Sequence, residues 1–272
     1  MNMIDIKEKI VTLKRTYKKV VTNFYSQIID DMREVDYMEN DKALVFVVQE
    51  SYRKKAYFAT ADNAALCPLL QKLPKDTILE YIHKNRINPL EDIFMNGGME
   101  YYKMYMRTTT CYSDNPYKIP EEGRRKLLQE MYVPNFGEYA KEEHAVQLQK
   151  LTKETFDVFT DDIFTLEEWK KIIANKECIV YCENGEIVAY YVYRLEGKKL
   201  YSNISVNKGP ANYLYNIERR VFEEMWESGI RIFYAWVDIQ NAKQLKRKNK
   251  NKKVNACIKS SQRIYNFIYI KK

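Results

Sequence analysis

Asn184-Gly185 constrains this chain more than any other feature. It lies between two runs of strand-forming residues, Cys178–Cys182 (CIVYC) and Ile187–Leu195. An Asn-Gly pair takes positive φ at little cost, and the tight turn it makes matches the twist of paired strands. The second half of the chain therefore contains an antiparallel hairpin. Leu200–Val206 follows as a third strand. Pro210 or Ala211 opens a helix to Ser228, striped by Leu214, Ile217, Val221 and Met225. Gly229 is a helix C-cap followed at once by a strand, Arg231–Ile239 (RIFYAWVDI). Upstream, Lys141 to about Phe159 reads as helix, and Thr165-Leu-Glu-Glu168 is a capping box that opens another, to about Ala174. Downstream, Asn241–Lys248 reads as a short basic helix and Arg263–Ile270 as a last strand of this half.

The first half is less sharply marked. Ile10, Leu13, Tyr17, Val20, Phe24, Ile28 and Met32 recur at helical spacing and predict a helix of roughly seven turns, broken at most once. Strands follow at Ala43–Val48 and Lys55–Thr60. Asp62 or Asn63 caps a helix through Leu73 that must accommodate Pro68. Ile78–Ile82 is a strand, Pro89–Met95 a short helix stopped by Gly97-Gly98, and Tyr101–Thr109 a strand. Pro116, Pro120, Pro134 and Gly123 mark a linker. The expected division is residues 1–112, a linker 113–138, and 139–272.

The chain is 30% charged and 46% hydrophobic, which excludes a disordered chain. Its net charge of +8 is local: every charged residue from Lys243 to Lys253 (KQLKRKNKNKK) is basic. That run is either a solvated helix end or an attractor of phosphates, of a nucleotide cofactor or of RNA. The five cysteines (Cys67, Cys111, Cys178, Cys182, Cys257) form no disulfide framework. His83 and His144 have no Cys or His near them in sequence, so no metal site is expected. The run Ala43–Val48 falls far short of the ~20 residues a membrane span needs, and no signal segment is visible. A cytoplasmic protein with no membrane partner is expected.

The order of the second half resembles the GNAT superfamily of acyl-CoA N-acyltransferases. The residues that carry the resemblance are Tyr139–Asp157 at the first helix, the hairpin IVYCENGEIVAYYVYRL, the phrase LYSNISVN before a long helix, and IRIFYAWVDIQNA. The first half repeats the same order in weaker form. The resemblance implies an α/β (α+β) fold: a tandem of two GNAT-like domains, each a mixed, mostly antiparallel sheet flanked by helices.

It also implies a site. Acetyl-CoA or another acyl-CoA would be the co-substrate, with Val206, Asn207, Lys208, Gly209, Ala211, Asn212 and Asn241 binding it. Backbone N–H groups at a helix N-terminus would hold its pyrophosphate. The family's loop has more glycines than this one, whose Pro210 lacks an N–H. The carboxylate base often found on the strand Leu200–Val206 is missing. Tyr201, Asn203 and Ser205, on one face by two-residue alternation, are its substitutes, with Asp238 a further candidate. In the first half the matching loop, Thr60–Ala64, has no glycine, so that domain is expected not to bind CoA.

The leading expectation is an acyl-CoA-dependent N-acyltransferase acting by direct attack in a ternary complex. The acceptor would be the amine of a small molecule or peptide. Two rivals remain open: an aminoacyl-tRNA-dependent transferase using the run 243–253 to hold tRNA, and a degenerate pair of domains acting as a scaffold.

Overall fold

The structure, a computed structural model, describes residues 1–25, 29–112, 137–241 and 263–272. Most of the linker 113–138, the basic run 243–253 and Cys257 lie outside the described residues. The described chain forms two compact units, residues 1–105 with 264–272, and residues 106–263.

In the first unit, helix α1 (Met3–Thr16) buries Met3, Ile6 and Ile10. Strands β2 (Asp36–Asn40), β3 (Ala43–Glu50) and β4 (Arg53–Thr60) form an antiparallel meander. Helix α2 (Asn63–Gln71) follows, capped by the Asp62 carboxylate, and β5 (Thr77–His83) returns parallel to β4. After the short α3 (Glu91–Asn96) the chain enters β6 (Met99–Cys111). Phe46, Tyr57 and Phe58 pack the two faces of this sheet with no exposure.

Two expectations fail here. The long N-terminal helix stops at Thr16, where Tyr17 turns extended. The β-branched run that follows instead supplies β1 (Val21–Thr22), antiparallel to Ala59–Thr60 of β4. Helical spacing over Tyr17–Phe24 loses to strand pairing with buried partners. The last strand, β12 (Ile264–Lys271), expected in the second half, belongs instead to the first unit: it pairs antiparallel with β5 and lies between β5 and β6.

The second unit repeats the sequence of connections. Strands β8 (Cys178–Glu183), β9 (Glu186–Glu196) and β10 (Lys199–Asn207) are an antiparallel meander, followed by α6 (Ala211–Glu227) and by β11 (Ile232–Asp238), parallel to β10. The turn between β8 and β9 has positive φ at both Asn184 and Gly185, as the dipeptide predicts. Helices α4 (Ala145–Thr155) and α5 (Leu166–Ala174) precede the meander, α5 with the expected Thr165–Glu168 capping box. They cover one face of the sheet over Tyr190, Val192, Ile204 and Val206. Helix α6 covers the other over Tyr191, Tyr193, Leu200 and Phe233. A two-residue strand, β7 (Glu138–Tyr139), edges β8, and the later part of β6 lies beside β11. None of the described helices is long and apolar enough to cross a membrane.

Candidate active site at a forked pair of parallel strands

Each unit contains a parallel strand pair, β4 with β5 and β10 with β11, and in each the pairing stops early. In the second unit β10 and β11 pair from Lys199↔Ile232 to Tyr201↔Tyr234, yet the strands run on to Asn207 and Asp238. Beyond that rung their facing edges have no ladder with each other. Just past the fork, the β9–β10 register shifts between Ser202 and Ile204, a bulge at Asn203. A bulge takes a residue out of the ladder and bends its strand.

The bulge corrects the expected grouping of site residues. Before it, Tyr201 lies opposite Arg194; after it, Ser205 lies opposite Tyr191. Tyr191 belongs to the core under α6, so Ser205 is on the α6 side of the sheet, whereas Tyr201 is on the other. Asn203, half-buried, is the residue at which the faces exchange. Two-residue alternation assumed an unbroken strand. Val206, buried, packs into the core under α4 and α5.

The loop after β10 is tightly committed to its own structure. The Lys208 N–H donates to Val188 O at 2.8 Å. The Asn207 side chain accepts from the Gly209 N–H at 3.1 Å and donates to Pro210 O at 3.0 Å. Lys208 Nζ lies 3.4 Å from Glu154. A Cβ on Gly209 would stand 2.6 Å from the Tyr213 ring, which fixes why glycine is required. That ring packs 4.3 Å from Tyr181, and its hydroxyl donates to Glu183. This hydrogen bond pushes the Tyr213 pKa up to about 12. Of the expected phosphate cradle there remain the N–H groups of Ala211 and Asn212 at the start of α6, whose N-cap residue Pro210 offers no side-chain cap. Asp238 accepts from the Gln240 N–H at 2.8 Å, and its carbonyl accepts from Asn241 N–H at 2.9 Å; both close the turn after β11.

Five further side chains, Tyr234, Arg194, Glu196, Arg107 and Trp236, surround the fork on the face of Tyr201. Tyr201 and Tyr234 stack at 5.0 Å with planes 16° apart. Arg194 lies over Tyr201 at 5.6 Å and 3.4 Å from Glu196, which accepts from the Tyr234 hydroxyl. Burial, then that hydrogen bond, holds the Tyr234 hydroxyl well above the ordinary phenol range, so at neutral pH it is a donor. Arg107, from β6, lies over Tyr234 at 5.7 Å and over Trp236 at 6.0 Å. Arg107 was missed because β6 counted with the first half; only the strand order brings it beside β11.

In the first unit the equivalent fork is plugged. Pairing of β4 with β5 stops at Ala56↔Leu79. Asn23, 3% exposed, fills the gap: its amide donates to Ala56 O at 3.0 Å and Glu80 O at 2.9 Å and accepts from Phe58 N–H at 2.6 Å. Strand β1 then pairs with the freed edge of β4. Among the described residues of the second unit, no side chain bridges β10 and β11 past Tyr201 in this way.

A cluster apart from the fork bears on the expected absence of a metal. Glu138, His144 and Cys182 bring ligand atoms within 4.8 Å of one another. Folding thus gives His144 a cysteine neighbour that sequence distance hid. However, His144 Nδ1 accepts from the Lys141 N–H at 3.1 Å, which leaves the neutral ring's proton on Nε2. Glu138 pairs with Lys141 Nζ at 3.1 Å. Burial, then the Glu138 charge, pushes the Cys182 thiol up, away from the thiolate a metal needs.

No family model matches the chain, and no curated protein matches its sequence. Solved structures do match. One is described as an acetyltransferase from the GNAT family of Novosphingobium aromaticivorans: TM-score 0.52, 12% identity, covering 84% of this chain and 88% of that one. A GCN5-related N-acetyltransferase from Sphaerobacter thermophilus gives TM-score 0.52 and 13% identity, over 85% and 78%. A GCN5-related glucosamine N-acetyltransferase region of a fungal multi-domain β-N-acetylglucosaminidase gives TM-score 0.53 and 12% identity, over 84% and 31%. With two antiparallel meanders, each continued by a helix and a forked parallel strand, the chain has the fold of the GNAT acetyltransferases.

Proposed function

We propose that the second unit is an acyltransferase that moves an acyl group from a thioester to an amine, with acyl-CoA as donor. The observation that supports this most is the early end of the β10–β11 ladder. It leaves two strand edges to receive an extended acyl-pantetheine arm by backbone hydrogen bonds. The arm would enter beside the N-terminus of α6, where the N–H groups of Ala211 and Asn212 favour a diphosphate. Lys208 would add a point charge once released from Glu154.

The thioester carbonyl then lies near the fork. Backbone released by the bulge at Asn203 supplies polarising donors there. The acceptor's nitrogen attacks the carbonyl carbon, the C–S bond breaks, and the thiolate leaves. The nitrogen's proton passes to water held by Asn203 or to a carboxylate on that face, Asp238 or Glu196; Tyr201 returns a proton to sulfur. Ser205, on the α6 side, has no part in this step.

Thermal unfolding with acetyl-CoA and longer acyl-CoAs, at fixed salt, tests the reading. Ligand at about 100 times its dissociation constant adds about 2.7 kcal/mol. A midpoint unmoved by every acyl-CoA defeats it. The commitment of the Lys208 and Gly209 N–H groups inside the loop favours one second reading, a donor recognised elsewhere, such as an aminoacyl-tRNA. Steeply salt-dependent RNA binding would then replace the CoA response.

A further inference from the structure

The fork carries more charge chemistry than thioester binding uses. Tyr201, Tyr234, Trp236 and Arg107 are all half-buried, so their faces and edges reach solvent. Arg194 is balanced by Glu196 at 3.4 Å. Arg107 is different: among the described residues its contacts are the rings of Tyr234 and Trp236, and it has no carboxylate partner. Holding a guanidinium half out of water over two rings costs hydration that cation–π attraction returns only in part. Arg194 and Glu196 match each other, and Asp238, on the same face, is held in the turn after β11, so Arg107 is the arginine left, among the described residues, without a carboxylate within ion-pair distance. A planar guanidinium matches a carboxylate through two parallel N–H···O bonds, and the rings beside it offer a flat apolar floor.

We infer that Arg107, with the floor of Trp236, Tyr234 and Tyr201, binds the carboxylate of a flat, apolar amine acceptor. Naming the ligand an acceptor rests on the acyltransferase reading; the binding itself does not. One guanidinium beside two carboxylates, Glu196 and Asp238, selects a monoanionic group over a dianion. A phosphate dianion brings a second negative charge towards Glu196, which lies on the same face. The amine of such a ligand, held away from Arg107 by charge, is drawn towards Glu196 and the fork.

The test needs no acyl donor. Titrate the full chain with phenylalanine, phenylalaninamide and phenethylamine, reading tryptophan fluorescence, with Trp236→Phe to identify the responding ring. Phenylalanine is expected to bind at least about tenfold more tightly than either analogue, both of which lack the carboxylate, about 1.4 kcal/mol. Arg107→Gln should remove that preference while leaving the unfolding midpoint in place. Arg107→Lys should recover only part of it, since an ammonium lacks the planar fork. Equal binding of acid and amide, binding indifferent to Arg107→Gln, or no binding at all overturns the inference. So does a clear preference for O-phosphoethanolamine over phenylalanine. If phenylalanine binds as expected while no acyl-CoA stabilises the chain, the acyltransferase reading fails and the carboxylate site stands.

Discussion

Asn23 and Glu80 show how much a single side chain decides in the first unit. Asn23 satisfies three backbone groups at the fork of β4 and β5. Its replacement by alanine should destabilise the fold by roughly 2–4 kcal/mol, because buried groups are left unpaired. Denaturant titration measures this; a loss below experimental error would mean the plug is ornamental. Glu80 answers to charge. Burial alone would push its carboxyl up, but Lys55 at 3.1 Å, Arg53 and the Asn266 amide together hold it below the usual range. A depressed folded value adds stability above the unfolded value, and that contribution is lost as pH falls through the folded one. Acid unfolding of Glu80→Gln should therefore lack this part of the pH dependence. The variant should also be less stable at neutral pH by about 1–3 kcal/mol, because Lys55 then keeps only the longer contact with Glu50 at 3.8 Å. A wild-type stability flat from pH 6 down to 3 would contradict the assignment.

Among elements, α6 and the strands around it carry the candidate site. Gly209 lies under the Tyr213 ring, which Tyr181 and Glu183 hold in place. Gly209→Ala must displace that ring and should cost about 1–3 kcal/mol and loosen the helix start. Hydrogen exchange at Asn212 and Tyr213 would show it, and unchanged exchange would refute it. The hairpin, the helix from Ala211 and its Gly229 stop were legible in the sequence because local chemistry sets them: positive φ, capping and a striped helix face. The bulge at Asn203 was not, since nothing in LYSNISVN distinguishes a strand that slips one residue from one that does not. Nor was β1, because the pattern Tyr17, Val20, Phe24 suits a helix as well as a strand pinned by distant partners. Arg107 lay hidden for a third reason, that strand order in a sheet is a long-range property. The fold was readable by order of elements, whereas the face that would meet a substrate depended on one bulge and one neighbour strand.

For the whole molecule, the repeated meander predicts one donor site per chain rather than two. The first fork is closed by Asn23 and β1, the second is not bridged among the described residues. Calorimetry with an acyl-CoA should give a stoichiometry near one; a value near two would show that the plug yields. Strand β12 joins β5 of the unit that the chain began more than half its length earlier. A ribosome releases residues in order, so the meander and fork of the second unit are synthesised while the first still lacks a strand between β5 and β6. The unit begun first is finished last, and until then nascent chain exposes two strand edges that invite pairing with a neighbour. Slowed synthesis across residues 242–263 should therefore raise aggregation more than the same delay placed before residue 99.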